Sequence, residues 1–298
     1  MNSKALIFIL GLTVAFPAFA ETVGRSHGSS AARMYTPDSD LMTPANASGL
    51  WGVGVDGERR IPSVWDLDHK YAEARKNTSC VATYRALSRR QAEFTPTQIP
   101  YGKRTIENAA MQCDVSKDMI DRTLAVFLQN QTKIPNQRYL SVFDLSQRSN
   151  KKRFAVVDLW SGTAKCYRAA HGSGSDPRHS NYATKFGNDP RGHSYKSSIG
   201  CAITGEIIRA KVTPQEPHGR VALRMMGFSQ GLNDNMCERA VYMHAAPYVD
   251  YQPGVKKSLK CYASAPGRSQ GCPAFEYKQR DEIFEKINGG GLVCSWNQ

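Results

Sequence analysis

The sequence predicts a mainly β protein of the α+β class, a sandwich-like body preceded by a small helical segment. Three observations carry that prediction. Short runs rich in Val, Ile, Phe and Tyr recur from Tyr139 onward, separated by clusters of Gly, Pro, Asn and Asp. Helical periodicity is clearest earlier, after Ser116. The 298 residues, 41% of them hydrophobic, suffice for one large domain or two modest ones.

Taken in order, Lys4, the apolar run Ala5 to Phe16 and the small-residue site Ala18-Phe19-Ala20 read as a secretory signal peptide over residues 1–20, with Glu21 the expected mature start. The run is shorter than the roughly 18 apolar residues of a transmembrane anchor, so none is expected. Residues 21–62, rich in Ser, Gly, Pro, Thr and Asn, form a predicted flexible leader whose one dense spot is Leu50-Trp51-Gly52-Val53. A helical N-terminal segment is predicted over 63–135. Trp65 to Ala86 suggests one or two helices interrupted near Cys80. A second helix starts at Ser116, a plausible N-cap, lines up Met119, Ile120, Thr123, Leu124, Phe127 and Leu128, and stops before Pro135.

The body is predicted over 136–298. Tyr139–Leu145 and Arg153–Leu159 around the polar turn Ser146–Lys152 form a β-hairpin. Further strand-like runs are Cys166–His171, Ala202–Lys211, Arg220–Met226 and Arg239–His244. A last helix, about Asp281–Ile287, turns Ile283, Phe284 and Ile287 inward; Gly289-Gly290-Gly291 ends it, and Leu292–Trp296 returns as a strand.

Export changes how the eight cysteines and the formal charge of +13 are read. Disulfides persist outside the cytoplasm, and nucleic acid is rarely the partner there, so none is expected. The basic balance suits an anionic polymer or envelope as well as a merely solvated surface, so charge alone selects no function.

Chemistry concentrates in Gly267-Arg268-Ser269-Gln270-Gly271-Cys272-Pro273, too rich in Gly and Pro to be regular structure. A thiol there is approachable, but it needs a base or cation to be a nucleophile at neutral pH, and His244 at the end of a strand-like run is the candidate. A thiol paired with an imidazole is expected to titrate below a free one. The N–H groups of Gly271 and Cys272 are candidate oxyanion donors, and Ser269 a support for the turn. Against this stands the ordinary fate of an exported cysteine, a disulfide. His171 followed by Ser198-Ile199-Gly200-Cys201 repeats the same pattern at nearly the same distance, and spacing does not separate the two pairs. His179, His193, Asp176 and Asp189 match no metal-ligand spacing and read as polar loop residues; no metal site or cofactor is expected.

Several motifs taken together are more specific: Ala170-His171-Gly172-x-Gly174-Ser175, Ser197-Ser198-Ile199-Gly200, Gly231-Leu232-Asn233-Asp234, Arg239-x-Val241-x-x-His244-x-Ala246-x-Tyr248-Val249 and Arg268-Ser269-x-Gly271-Cys272-Pro273-Ala274. With them, residues 137–298 resemble the catalytic domain of murein L,D-transpeptidases, the YkuD-like family, in the subgroup with proline after the cysteine. The resemblance implies that Cys272 and His244 are catalytic and that Cys201 is structural. It implies substrate or loop support from Ser269, Arg268, Gln270, Arg239, Asn233 and His171. The implied reaction is acyl transfer on a peptidoglycan stem tetrapeptide in the periplasm or cell envelope. The acceptor is an amine of a neighbouring stem peptide, a D-amino acid or a lipoprotein, or else water, which would make the protein an L,D-carboxypeptidase. A wall-binding protein with Cys272 oxidised into a bridge remains the non-enzymatic alternative. Pro273 and an insertion around Tyr251 to Pro266 depart from the more familiar members, and the resemblance fades before about Asp114. If Cys272 is free, seven cysteines allow at most three bridges; proximity in sequence suggests Cys80–Cys113 and Cys166–Cys201.

Overall fold

A computed structural model of the chain describes residues 78–92, 98–190, 194–209, 221–249 and 268–297. The predicted signal peptide, the leader 21–62, the stretch Trp65 to Asn77 and the insertion 251–266 lie outside the described residues, as does His193.

Three helices come first: α1 (Thr78–Ala92), α2 (Lys103–Met111) and α3 (Lys117–Asn130). Within the described residues Cys80 does not interrupt the helix. Cys80 is fully buried inside α1 and bonded to Cys237, so its side chain belongs to the core rather than to a polar turn. α3 begins after Ser116, as its apolar period requires, and all six expected inward residues are buried. Ser116 occupies the N-cap position without the expected side-chain hydrogen bond; instead its N–H donates to Asp144 Oδ2 at 2.8 Å, tying the helix start to the sheet.

Eight strands follow: β1 (Asn136–Asp144), β2 (Phe154–Asp158), β3 (Thr163–Tyr167), β4 (Gly200–Arg209), β5 (Val221–Gly227), β6 (Tyr242–Ala245), β7 (Ala274–Phe275) and β8 (Gly291–Trp296), with α4 (Tyr277–Ile287) between the last two. They form one sheet in the order β3-β2-β1-β8-β4-β5-β6-β7. The β1–β2 hairpin pairs Tyr139 with Asp158 and Phe143 with Phe154. β8 enters between β1 and β4, parallel to the first and antiparallel to the second. It is buried at every position, as a central strand must be.

Alternate side chains serve two cores. On one face Leu140, Val142, Ala155, Val157, Cys201, Ile203, Leu292 and Cys294 meet the helices. Trp296 anchors that contact by donating its indole N–H to Thr123 Oγ1 at 2.8 Å. On the other face Phe143, Phe154 and Val156 meet Leu223, Met225, Met243, Phe275 and Phe284. Phe154 of β2 lies 4.8 Å, edge to face, from Phe275 of β7, although these strands stand near opposite ends of the sheet order. The sheet therefore curls until its ends meet. Ala170, just beyond β3, pairs with Ala274 of β7 through N–H···O bonds of 2.9 and 3.3 Å. The two layers of the expected sandwich are two halves of a single barrel-like sheet.

The guessed bridges are both wrong. Cys80 pairs with Cys237, Cys113 with Cys166, and Cys201 with Cys294. Cys201 and Cys294 face each other directly across β4 and β8, a neighbourhood that proximity in sequence does not reveal. Cys80–Cys237 closes a separation of 157 residues, worth about 5 kcal/mol on a loop-entropy view, and fixes α1 to the turn-rich segment between β5 and β6.

Candidate active site

The seam that closes the barrel holds the candidate nucleophile. Two backbone bonds stitch Ser269 to the facing strand end: its N–H donates to His171 O at 2.9 Å, and its carbonyl accepts from Ser173 N at 2.7 Å. The hydroxyl of Ser269 then folds the next three residues into a tight turn, accepting from Gly271 N at 3.1 Å and donating to Cys272 O at 2.5 Å. Gly271 sits at φ +118, and a Cβ there would lie 2.9 Å from Lys196 O, so a side chain is excluded twice over. Ser197 braces the turn from behind: its hydroxyl donates to Gly271 O at 3.3 Å and accepts from Gly172 N at 2.9 Å, while its own N–H donates to Ser175 Oγ at 2.8 Å. The Gly172–Ser175 and Ser197–Ser198 motifs are thus struts of this turn.

Cys272 is half-buried and is the free cysteine among the described residues. Its sulfur accepts from Tyr242 N at 3.4 Å and faces Ala240 O at 3.9 Å, both partners supplied by the entry to β6. Ala240 takes φ +52, an uncommon conformation for a residue with a side chain and one that tends to mark functional segments. Burial pushes the Cys272 thiol above its ordinary value; the Tyr242 N–H and the charge of Arg239 pull the other way without overcoming it. Desolvation of the thiolate thus outweighs these two favourable contacts.

His244 is set beside this loop by two strands. It pairs with Ala222 of β5 and Ala274 of β7, and its N–H donates to Pro273 O at 3.2 Å. Its Nδ1 lies 2.9 Å from Ala245 O. A carbonyl can only accept, so this contact places the proton on Nδ1 and, in the neutral ring, leaves the lone pair on Nε2.

The two expected oxyanion donors differ. Gly271 N–H is committed to Ser269 Oγ, whereas Cys272 N–H has no partner among the described residues. Gln270 is exposed at the apex of the turn. Arg268 braces a neighbouring loop through Asp176 O at 2.9 Å and His179 Nδ1 at 2.5 Å. Asn233 is buried, accepting from Ser229 N and donating to Cys201 O at 2.9 Å each; it pins the segment after β5 to β4. Arg239 spans Gly187 O at 2.6 Å and Lys196 O at 2.8 Å and also reaches Ser198 Oγ.

The competing pair separates. Cys201 is in a disulfide, and His171 is fully buried beneath the seam, where Arg153 Nη2 donates to its Nδ1 at 2.7 Å. Burial first, and the Arg153 charge second, depress His171 to about 3, so it stays neutral. Arg153 is itself buried, lowered to about 9 by desolvation, and holds Ala169 O and Gln147 O. Sequence reasoning missed Arg153 and the backbone of Ala240 and Tyr242, and it quoted Ser175 and Ser197 in motifs without giving them a role. For Arg153 the available signal was an arginine heading the Phe154–Val157 apolar run.

Residues 111–296 match the model of the L,D-transpeptidase catalytic domain. No curated protein matches the chain. Among solved structures, an L,D-transpeptidase from Mycobacterium smegmatis shares 14% identity over 53% of this chain and 58% of that one, with a TM-score of 0.28. Two from Mycobacterium tuberculosis, one of them L,D-transpeptidase 3, share 15% and 14% identity over 53% of this chain and 57% and 61% of theirs, at a TM-score of 0.30 each. The chain thus spans less than two thirds of these proteins' lengths.

Proposed function

Because the chain belongs to the L,D-transpeptidase catalytic-domain family, we propose that it is a cysteine-dependent acyltransferase acting on peptidoglycan stem peptides, with Cys272 as nucleophile and His244 as base. The observation that carries this reading is the pairing of chemistry and place: the free thiol stands on the glycine turn at the barrel seam, beside a histidine whose Nδ1 is occupied by a carbonyl.

The raised thiol sets the order of events. At neutral pH Cys272 is mostly S–H, so proton removal accompanies attack. His244 Nε2 takes the thiol proton as Sγ bonds to the carbonyl carbon at the L-centre of the third stem residue. The carbonyl oxygen becomes an oxyanion facing Cys272 N–H; Gly271 N–H joins only if it leaves Ser269 Oγ. The C–N bond to the terminal D-amino acid then breaks, and its nitrogen receives the proton from His244. The thioester left on Cys272 is attacked by an acceptor amine, which gives a proton back through His244 and releases the thiol. Neither a metal nor an organic cofactor takes part in these steps. Water in place of the amine would give carboxypeptidase activity. Three disulfides among the described residues suit an oxidising compartment, and with the signal peptide predicted over residues 1–20 they support export to the periplasm or envelope. No helix among the described residues is long and apolar enough to cross a membrane.

The test is intact-mass spectrometry after incubation with a disaccharide tetrapeptide. Wild type should gain the acyl mass on Cys272, Cys272→Ala should gain none, and His244→Ala should acylate roughly two to four orders of magnitude more slowly. Acylation of Cys272→Ala at the wild-type rate would refute the assignment.

A further inference from the structure

Arg239 stands out among the charged residues near the seam. Its guanidinium is bound to neutral acceptors: Gly187 O at 2.6 Å, Lys196 O at 2.8 Å and the hydroxyl of Ser198. Its Nε is buried without a partner. Such an orphan donor is uncommon in a folded protein and calls for an explanation. The half-buried guanidinium is held by two carbonyls and a hydroxyl, which fix the direction of the cation, and the charge of Asp189 acts on it as well.

Its position relative to the turn follows from Gly271. A Cβ built on Gly271 would lie 3.8 Å from Arg239 Nη2 and 2.9 Å from Lys196 O, the same carbonyl that Nη2 holds. The guanidinium therefore forms the wall against which Gly271, the residue before the sulfur, is packed. The chain then runs directly from Arg239 to Ala240 and Tyr242, whose backbone O and N flank Sγ. Two residues earlier, Cys237 is bonded to Cys80 of α1, so the segment carrying this cation is anchored covalently.

We infer that Arg239 is a positioning residue for the nucleophile, a fixed cation that shapes the wall of the Cys272 turn and favours the thiolate formed there. This rests on the reading of Cys272 as the reacting thiol. Of the charged and titratable groups around the sulfur, His244 lies on β6, Tyr248 in the turn beyond it, and Arg239 before it; Asp189 stands against Arg239. Arg239 supplies the permanent positive charge in this set. It opposes the desolvation that holds the thiol up; burial lowers Arg239 itself, and the Cys272 thiolate, once formed, and Asp189 act against that lowering.

The experiment is the pH profile of Cys272 alkylation by iodoacetamide, in which the S–C bond forms as iodide leaves, for wild type, Arg239→Gln and Arg239→Lys. Thermal melting verifies folding in each. Arg239→Gln should move the midpoint of the profile up by about one pH unit and slow alkylation near pH 7 about tenfold, while Arg239→Lys keeps the midpoint near wild type. A loss of rate by the same factor at every pH, with the midpoint unmoved, is what mere loosening of the turn produces and overturns the inference. If Arg239→Gln does not fold, Arg239→Met serves with the same expectation. If neither folds, Arg239→Lys decides: a retained midpoint supports a role for charge, a raised one overturns it. Acylation of wild type by the tetrapeptide is measured in parallel. Its absence, whatever the alkylation profile, counts against the transpeptidase reading and not against the role of Arg239.

Discussion

Replacing His171 by glutamine should remove a specific acid sensitivity from the fold. In the native protein this ring is fully buried, accepts Arg153 Nη2–H on Nδ1, and is depressed to about 3 by burial and by the Arg153 charge. In the unfolded chain it titrates near 6.5. Between these values the unfolded state binds a proton that the folded state refuses, so stability falls as pH drops from about 6.5 toward 3. One proton corresponds to about 1.4 kcal/mol per pH unit, which gives about 2 kcal/mol between pH 7.5 and pH 5 and at most about 5 kcal/mol over the whole window. That is a large share of the 5–15 kcal/mol typical of a domain. Gln offers Arg153 a carbonyl acceptor in place of Nδ1 and does not titrate. Denaturant unfolding of both proteins at several pH values tests this. Burial opposes the charge of Asp176, but the Ser180 and Asn181 N–H groups hold it below its usual value, so it also loses stabilisation in acid. It does so in both proteins, and the subtraction largely isolates His171. The gap between wild type and His171→Gln should change by about 2 kcal/mol between pH 7.5 and pH 5 in favour of the variant. Parallel curves would show that His171 takes up its proton as readily in the fold as in the unfolded chain and that the Arg153 contact is misassigned.

Cys201→Ala should lower stability by about 2–5 kcal/mol through loss of the β4–β8 disulfide, yet the folded fraction should acylate at the wild-type rate, read by mass spectrometry after melting curves fix the temperature. Gly271→Ala places a Cβ 2.9 Å from Lys196 O at φ +118, so acylation should fall at least tenfold with the fold retained; full activity would contradict the turn geometry. Ala240→Gly relieves a left-handed residue and should leave stability unchanged or raise it by up to about 1 kcal/mol in denaturant unfolding, where glycine elsewhere costs a similar amount.

The amino-acid sequence by itself determined the parts that repeat locally. The 3.6-residue period after Ser116 gave α3, the runs either side of Ser146–Lys152 gave the hairpin, and Ile283, Phe284 and Ile287 gave the buried face of α4. These are short-range matters of which side chain faces which way. The glycine turn at Cys272 was equally visible, because Gly271 and the serines around it carry their conformational meaning in their own chemistry. What the sequence left open was which distant residues meet. Only the insertion of β8 between β1 and β4 puts Cys294 opposite Cys201, and only the curling of the sheet brings Ala170 to Ala274 and so builds the seam under the thiol. The same tertiary contacts bury His171 on Arg153 and bring Arg239 against Gly271. The sign of the Cys272 shift belongs with them: desolvation depends on everything packed around a group, and no pattern in one dimension records that.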